Sequence, residues 1–165
     1  MSAQGLYIKS TKGKGRGVYC DHRILKDEII EECPLLIIPE NEHERFDTTK
    51  LADYFFSFDK SENTKALALG FGSIYNHKRL SNANYWIDME AKSITFYAIE
   101  NIDKHTEICV NYSGTPGMDY RTWFTARNIK YHDACNRSSN ELAGRLICSR
   151  KLVIRRTCDL ACIQS

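Results

Sequence analysis

Gly70-Phe71-Gly72-Ser73-Ile74-Tyr75-Asn76-His77, followed by Asn82-Ala83-Asn84-Tyr85, and the later run Glu107-Ile108-Cys109-Val110-Asn111-Tyr112 decide how this sequence reads. The first is an apolar run ending in two hydrogen-bonding side chains, and a lone Asn-His pair of this kind is most often a polar hinge satisfied within a core. As metal ligands Asn76 and His77 lack companions, and no local sequence marks any cysteine as the nucleophile of a Cys-His hydrolase. The second run is a strand by its Ile and Val content, ending at the turn Gly114-Thr115-Pro116-Gly117. Upstream, Gly13-Lys14-Gly15-Arg16-Gly17-Val18 is dense enough in glycine for the backbone to take positive φ and approach a ligand closely. No Gly-Lys-Ser/Thr follows, so it is not a phosphate loop, and Val18-Tyr19-Cys20 reads as strand where a dinucleotide fingerprint requires helix. Taken singly, the three are a turn, a hinge and an edge strand.

Around them, short runs rich in Ile, Val, Tyr and Phe predict strands at 6–9, 17–20, 28–33, 35–38, 93–99 and 107–112. Asp47-Thr48-Thr49 followed by Leu51, Tyr54, Phe55 and Phe58 at i, i+3, i+4, i+7 predicts a helix with one apolar face, and a further short turn is expected over 64–69. Strands without alternating helices predict a mainly β fold with short helices, of the α+β class, and argue against a doubly wound sheet.

The chain has 165 residues, 42% of them hydrophobic and 27% charged, which fits one soluble globular domain. The longest apolar runs, such as Leu35-Leu36-Ile37-Ile38, fall far short of the ~18 residues of a membrane span, and the N-terminus has no apolar segment of signal-peptide type. An intracellular location, cytoplasmic or chromatin-associated, is the expectation. Seven cysteines, an odd number without a close-spaced framework, suit free thiols in a reducing compartment. Charge is uneven: residues 1–26 carry six Lys/Arg against one acid, whereas 27–62 carry three against eleven. An acidic block of this kind attracts a basic peptide, and it speaks against direct nucleic-acid binding.

In this order and at these separations, the three motifs resemble the SET-domain protein-lysine methyltransferases, above all the short viral and bacterial ones. The resemblance runs over about residues 5–124 and takes in the acidic strand Glu28-Ile29-Ile30-Glu31-Glu32-Cys33, Asp53-Tyr54-Phe55-Phe56, the Asn-His-x-x-x-x-Asn motif, the Glu-Ile-x-x-x-Tyr strand, and Trp123-Phe124 eleven residues beyond Tyr112. Lys78, Ser81 and His105-Thr106 depart from the usual pattern at positions that read as loop or turn. The cysteine-rich zinc module that follows many such domains has no counterpart, since Cys158 and Cys162 lack a Cys-x-Cys before them, and no metal is expected.

The resemblance implies a SET-domain β-clip fold with a pseudoknot over 1–124, a C-terminal extension over 125–165, and S-adenosylmethionine as cofactor. By the same resemblance Tyr112 is the catalytic tyrosine, Tyr85 and Tyr54 are aromatics of the lysine channel or cofactor side, and Lys14, Gly15, Arg16, Asn76, His77, Tyr54, Tyr112 and Trp123 (or Phe124) hold the cofactor. Asn76 is able both to accept from its ammonium and to donate to its carboxylate. Val110, two residues before Tyr112, is expected to leave room in the channel. The substrate implied is lysine in a basic protein or peptide, a histone tail above all. A catalytically inactive SET-like module that binds peptide or chromatin is the alternative. The tail resembles nothing in the family; its run 145–160 alternates apolar and basic residues, as a docking helix, a charged patch or a loosely ordered extension does.

Overall fold

Nine short strands build two sheets in the computed structural model, which describes residues 5–132. β1 (Leu6–Thr11) and β2 (Gly15–Cys20) form an antiparallel hairpin whose turn holds Gly13 and Gly15 at φ +79° and +78°, the left-handed region that glycine enters without strain. β2 then pairs with β9 (Glu107–Val110), and β9 pairs in parallel with the two-residue β6 (Asn76–His77), giving the order β1-β2-β9-β6. The second sheet runs β4 (Phe55–Asp59), β5 (Thr64–Ala68), β3 (Ile29–Ile38), β8 (Ser93–Ala98) and β7 (Ala83–Asp88). One core joins the sheets: Val18 and Ile108 from the first meet Ile30, Ala66, Ile94 and Phe96 from the second, all fully buried. The expectation of a mainly β fold with short helices holds.

Several local expectations do not. The helix predicted from Asp47 is absent: α1 spans only Glu44–Asp47, a 3-10 turn covers Lys50–Tyr54, and Phe55 opens a strand. Thr49 does cap the turn, accepting from the Leu51 N–H at 3.2 Å. The aromatics then follow period two, Phe56 and Phe58 packing against the core and Phe55 edge-on to Phe46 on the other side. The turn expected over 64–69 is β5, drawn into the ladder by its pairing to β3 and β4. The strands predicted at 28–33 and 35–38 are one, β3, continuing through Pro34, which faces solvent and needs no N–H there. β7 and α2 (Arg121–Ala126) had no distinct signal. His105, one of the departures from the family pattern, sits at φ +63°, so that departure falls on a left-handed turn.

The pseudoknot is built by two buried asparagines. Asn82 accepts from the Cys109 N–H at 2.8 Å and donates to the Glu107 carbonyl at 2.9 Å, acting as one more rung beside β9. Asn111 donates to the carbonyls of Arg79 at 3.2 Å and Met118 at 2.9 Å, holding the chain past Tyr112 against the loop after His77. Glu31 is also buried: its carboxylate accepts from the Phe71 N–H and from the Tyr75 hydroxyl, each at 3.1 Å, fixing the turn before Asn76. Gly70, at φ +73° against that carboxylate, leaves no space for a side chain.

After α2, the Tyr131 ring lies 5.1 Å from Phe124 and 5.6 Å from His77. Of the expected extension, residues 133–165, with the run 145–160 and four of the cysteines, lie outside the described residues. Among the described residues no helix is long and apolar enough to cross a membrane. Replacing Glu31 by Ala orphans the buried Tyr75 hydroxyl and the Phe71 N–H, and the expected loss is about 3 kcal/mol of stability. Chemical denaturation of E31A beside wild type measures it, and an unchanged midpoint overturns the assignment.

Candidate active site

Two clefts open on either side of Tyr112. The first, of about 470 Å³, lies between the β1–β2 turn, the start of β6 and the α2 segment. The second, of about 640 Å³, is lined by Phe56, Tyr75, Tyr85, Ile87 and Tyr120 among others. Asp53, Tyr54, Ser73, Tyr112 and Trp123 face both and form the wall between them.

Tyr112 is held at three points. Its N–H donates to His77 Nδ1 at 3.2 Å, its hydroxyl donates to the Tyr75 carbonyl at 3.1 Å, and its ring stacks on Phe124 at 5.9 Å and 11°. With its proton committed to that carbonyl, the phenol oxygen keeps lone pairs for a donor in the clefts. Burial, reinforced by the neighbouring Cys109 whose ionised form would repel a phenolate, pushes its pKa far above the ordinary tyrosine range. Burial also pushes Tyr85 up to about 12 and raises Tyr75 well above the ordinary tyrosine range, the latter helped by the Glu31 charge. The site therefore carries neutral phenols.

The motif ahead of Tyr112 is equally constrained. Asn76 Nδ2 donates to the Arg16 carbonyl at 3.0 Å and to Glu107 Oε1 at 2.7 Å. Both amide hydrogens are thus spent within the protein, so of the two roles foreseen for Asn76 only acceptance through Oδ1 remains without a new donor. Gly17 permits this junction, because a Cβ there would come within 3.0 Å of Asn76 Nδ2 and 2.7 Å of Thr11 Oγ1. Lys14 Nζ donates to the His77 carbonyl at 2.9 Å across the first cleft.

Of the residues singled out in the sequence, Lys14, Gly15, Arg16, Asn76, His77, Tyr54, Tyr112 and Trp123 all line the first cleft. Tyr85 lines only the second, its ring 5.3 Å from Phe56 and 5.8 Å from Phe96. Val110 corrects an expectation: it is buried in the core opposite His77 and lines neither cleft, so Phe56 and Tyr85 bound the second cleft instead. Sequence reasoning missed Ser73, Phe56, Tyr120, Lys130 and His132. For Phe56 the period-two pattern was available; for Lys130 and His132 no signal was, since only the packing of His132 on Gly13 brings them to the cleft. Cys20 Sγ lies 3.1 Å from His22 Nδ1, but the thiol is buried and the pair lines neither cleft, which gives a Cys-His hydrolase no substrate site there.

A sheet-bound Asn-His segment, threaded beside a strand that leads two residues on to a half-buried tyrosine with clefts on both sides, defines the SET class of fold. The SET-domain model matches residues 15–113, and the chain belongs to the SET-domain family. It is 34% identical over 108 residues, 65% of this chain and 72% of the relative, to a Schizosaccharomyces pombe histone-lysine N-methyltransferase specific for H3 lysine 37. A Plasmodium falciparum protein crystallised as a candidate histone methyltransferase is 33% identical, with a TM-score of 0.57 over 68% of this chain and 96% of its own. A ctPRC2 structure with S-adenosylmethionine bound shares the fold at 21% identity and a TM-score of 0.57, over 77% of this chain and 17% of that one. These relatives support protein-lysine methyl transfer as its class of activity.

The buried groups set an alkaline limit. Cys33 and Cys109, each pushed up to about 12 chiefly by burial, and the phenols Tyr75, Tyr85 and Tyr112 stay protonated in the fold while the unfolded chain ionises. Raised folded-state values add no pH dependence below the unfolded ones, so stability is expected to hold to about pH 8.5, decline as thiols ionise, and fall faster above about pH 10. Denaturation midpoints between pH 8 and 11 test this; a flat profile overturns it.

Proposed function

We propose that this protein is an S-adenosylmethionine-dependent protein-lysine N-methyltransferase acting on a histone tail or another basic protein in chromatin. The observation that carries it is the position of Tyr112, half-buried and hydrogen-bonded where the two clefts meet. The first cleft suits the cofactor: Asn76 Oδ1 is an acceptor for its ammonium, the positive-φ backbone at Gly15 leaves open space for close approach, Lys14 supplies a cation for its carboxylate, and Trp123 and Phe124 offer aromatic surface. When bound, S-adenosylmethionine supplies an electrophilic methyl group.

The residues of the chain do the rest. A lysine amine attacks only when neutral, and free lysine is charged at pH 7. The aromatic walls of the second cleft, Phe56, Tyr75, Tyr85 and Tyr112, withhold water from the ammonium and so lower its pKa, while their faces tolerate residual positive charge. Tyr112 orients the amine by accepting from it, since its own proton is engaged with the Tyr75 carbonyl. Alignment of donor and acceptor across one residue is worth orders of magnitude in rate.

Transfer of labelled methyl from S-adenosylmethionine to core histones, and to an H3 peptide centred on lysine 37, tests the proposal. Label in wild type that falls about 100-fold or more in Tyr112→Phe is expected. Absence of label together with absence of cofactor binding by calorimetry sinks it; binding without label in wild type leaves the inactive module as the better account.

A further inference from the structure

The wall between the clefts contains an ion pair that no sequence motif marks. Arg127 Nη1 donates to Asp53 Oδ1 at 2.7 Å, and the Arg127 guanidinium lies 5.0 Å from the centroid of the Trp123 ring. Trp123 in turn meets the Tyr112 ring edge-on at 5.6 Å and 84°, and Tyr120 stacks on it at 5.9 Å and 19°. Asp53 belongs to the 3-10 turn before β4, whereas Arg127 caps the C-terminus of α2, its N–H donating to the Trp123 carbonyl at 3.3 Å. Two segments seventy-four residues apart are therefore joined by one charged contact at the point where both clefts share their lining.

We propose that the Asp53–Arg127 pair is a latch that holds Trp123 against Tyr112, closing the first cleft and coupling its occupancy to that of the second. Arg127 lines neither cleft and is a positioning residue. It works through the two groups it touches, fixing a carboxylate that faces both clefts and the indole that separates them. Guanidinium suits the task because its plane can meet a ring face while its edge donates to a carboxylate, a geometry an ammonium cannot reproduce. With the latch open, Trp123 keeps Tyr120 and Phe124 as neighbours but loses its tie to the opposite wall. The side chains of the pair are about a third exposed, 34% for Arg127 and 36% for Asp53, so the contact is open to screening by salt.

The cofactor half of the test rests on the function proposed above; the other half does not. Trp86 lies on the outer face of β7, away from both clefts, so a Trp86→Phe background leaves Trp123 as the reporter indole. In that background Arg127→Ala and Asp53→Ala are expected to raise iodide quenching of Trp123, Arg127→Lys to rescue it only in part, and the exchange Asp53→Arg with Arg127→Asp to restore most of the protection. Calorimetry on the same proteins is expected to show S-adenosylhomocysteine binding weakened about three- to tenfold in each single variant and recovered in the exchange. Raising salt is expected to move wild type toward the single variants, which themselves respond little. Equal quenching in all variants, or an exchange no better than the singles while all remain folded by circular dichroism, overturns the latch. Failure of wild type to bind S-adenosylhomocysteine counts against the methyltransferase reading, and the quenching series still decides the latch.

Discussion

Two residues of parallel pairing, Asn76 with Cys109 and His77 with Val110, hold this structure's chemistry in place. A ladder this short is too weak to stand by itself. It persists because side chains extend it: Asn82 pairs with both an N–H and a carbonyl of β9, Asn76 reaches Arg16 and Glu107, and His77 receives the Tyr112 N–H. Buried amides are costly when unpaired, and here they act as substitute backbone, so their need for partners fixes where the chain must thread. Tyr112 lies two residues beyond the end of β9, after the buried Asn111, and is thereby set at the meeting of the clefts.

The same economy explains Glu31. Its carboxylate binds the Phe71 N–H and the Tyr75 hydroxyl, and Tyr75 uses its carbonyl to receive the Tyr112 hydroxyl. Two hydrogen-bonded steps thus connect the middle of β3 to the phenol between the clefts. The price is a buried carboxylate whose charge raises the pKa values of Tyr75 and Cys33 beyond what burial alone does. At neutral pH this costs the site nothing, because every affected group works in its protonated form.

Much of this was legible in the sequence, for a physical reason in each case. The motif residues had to be side chains of fixed hydrogen-bonding capacity at fixed separations, and their order along the chain alone suffices to identify the family. Local geometry was less legible. Leu51, Tyr54, Phe55 and Phe58 fit a helical period by coincidence, since a 3-10 turn capped by Thr49 hands over to a strand whose own period is two. Val110 looked like a channel position by its distance from Tyr112, yet its strand turns that side chain into the core. His132 and Arg127 could not have been found, because their roles exist only through contacts with Gly13 and Asp53 far away in the chain.

The acidic block at 27–62 shows how a charge count misleads until it is folded. Read linearly, eleven acids suggest a continuous negative face for a basic partner. In the fold Glu31 is buried, Asp47 binds Lys65 at 2.6 Å, and Asp53, the acid of this block that faces the clefts, already shares its charge with Arg127. On the function proposed above, a lysine entering the second cleft meets aromatic rings, with Lys60 also in the lining, rather than a free carboxylate. This is what methyl transfer requires, because a carboxylate beside the amine would stabilise the ammonium and keep it unreactive. On that reading, attraction of a basic substrate comes from acids outside the cleft, while the cleft itself works by excluding water.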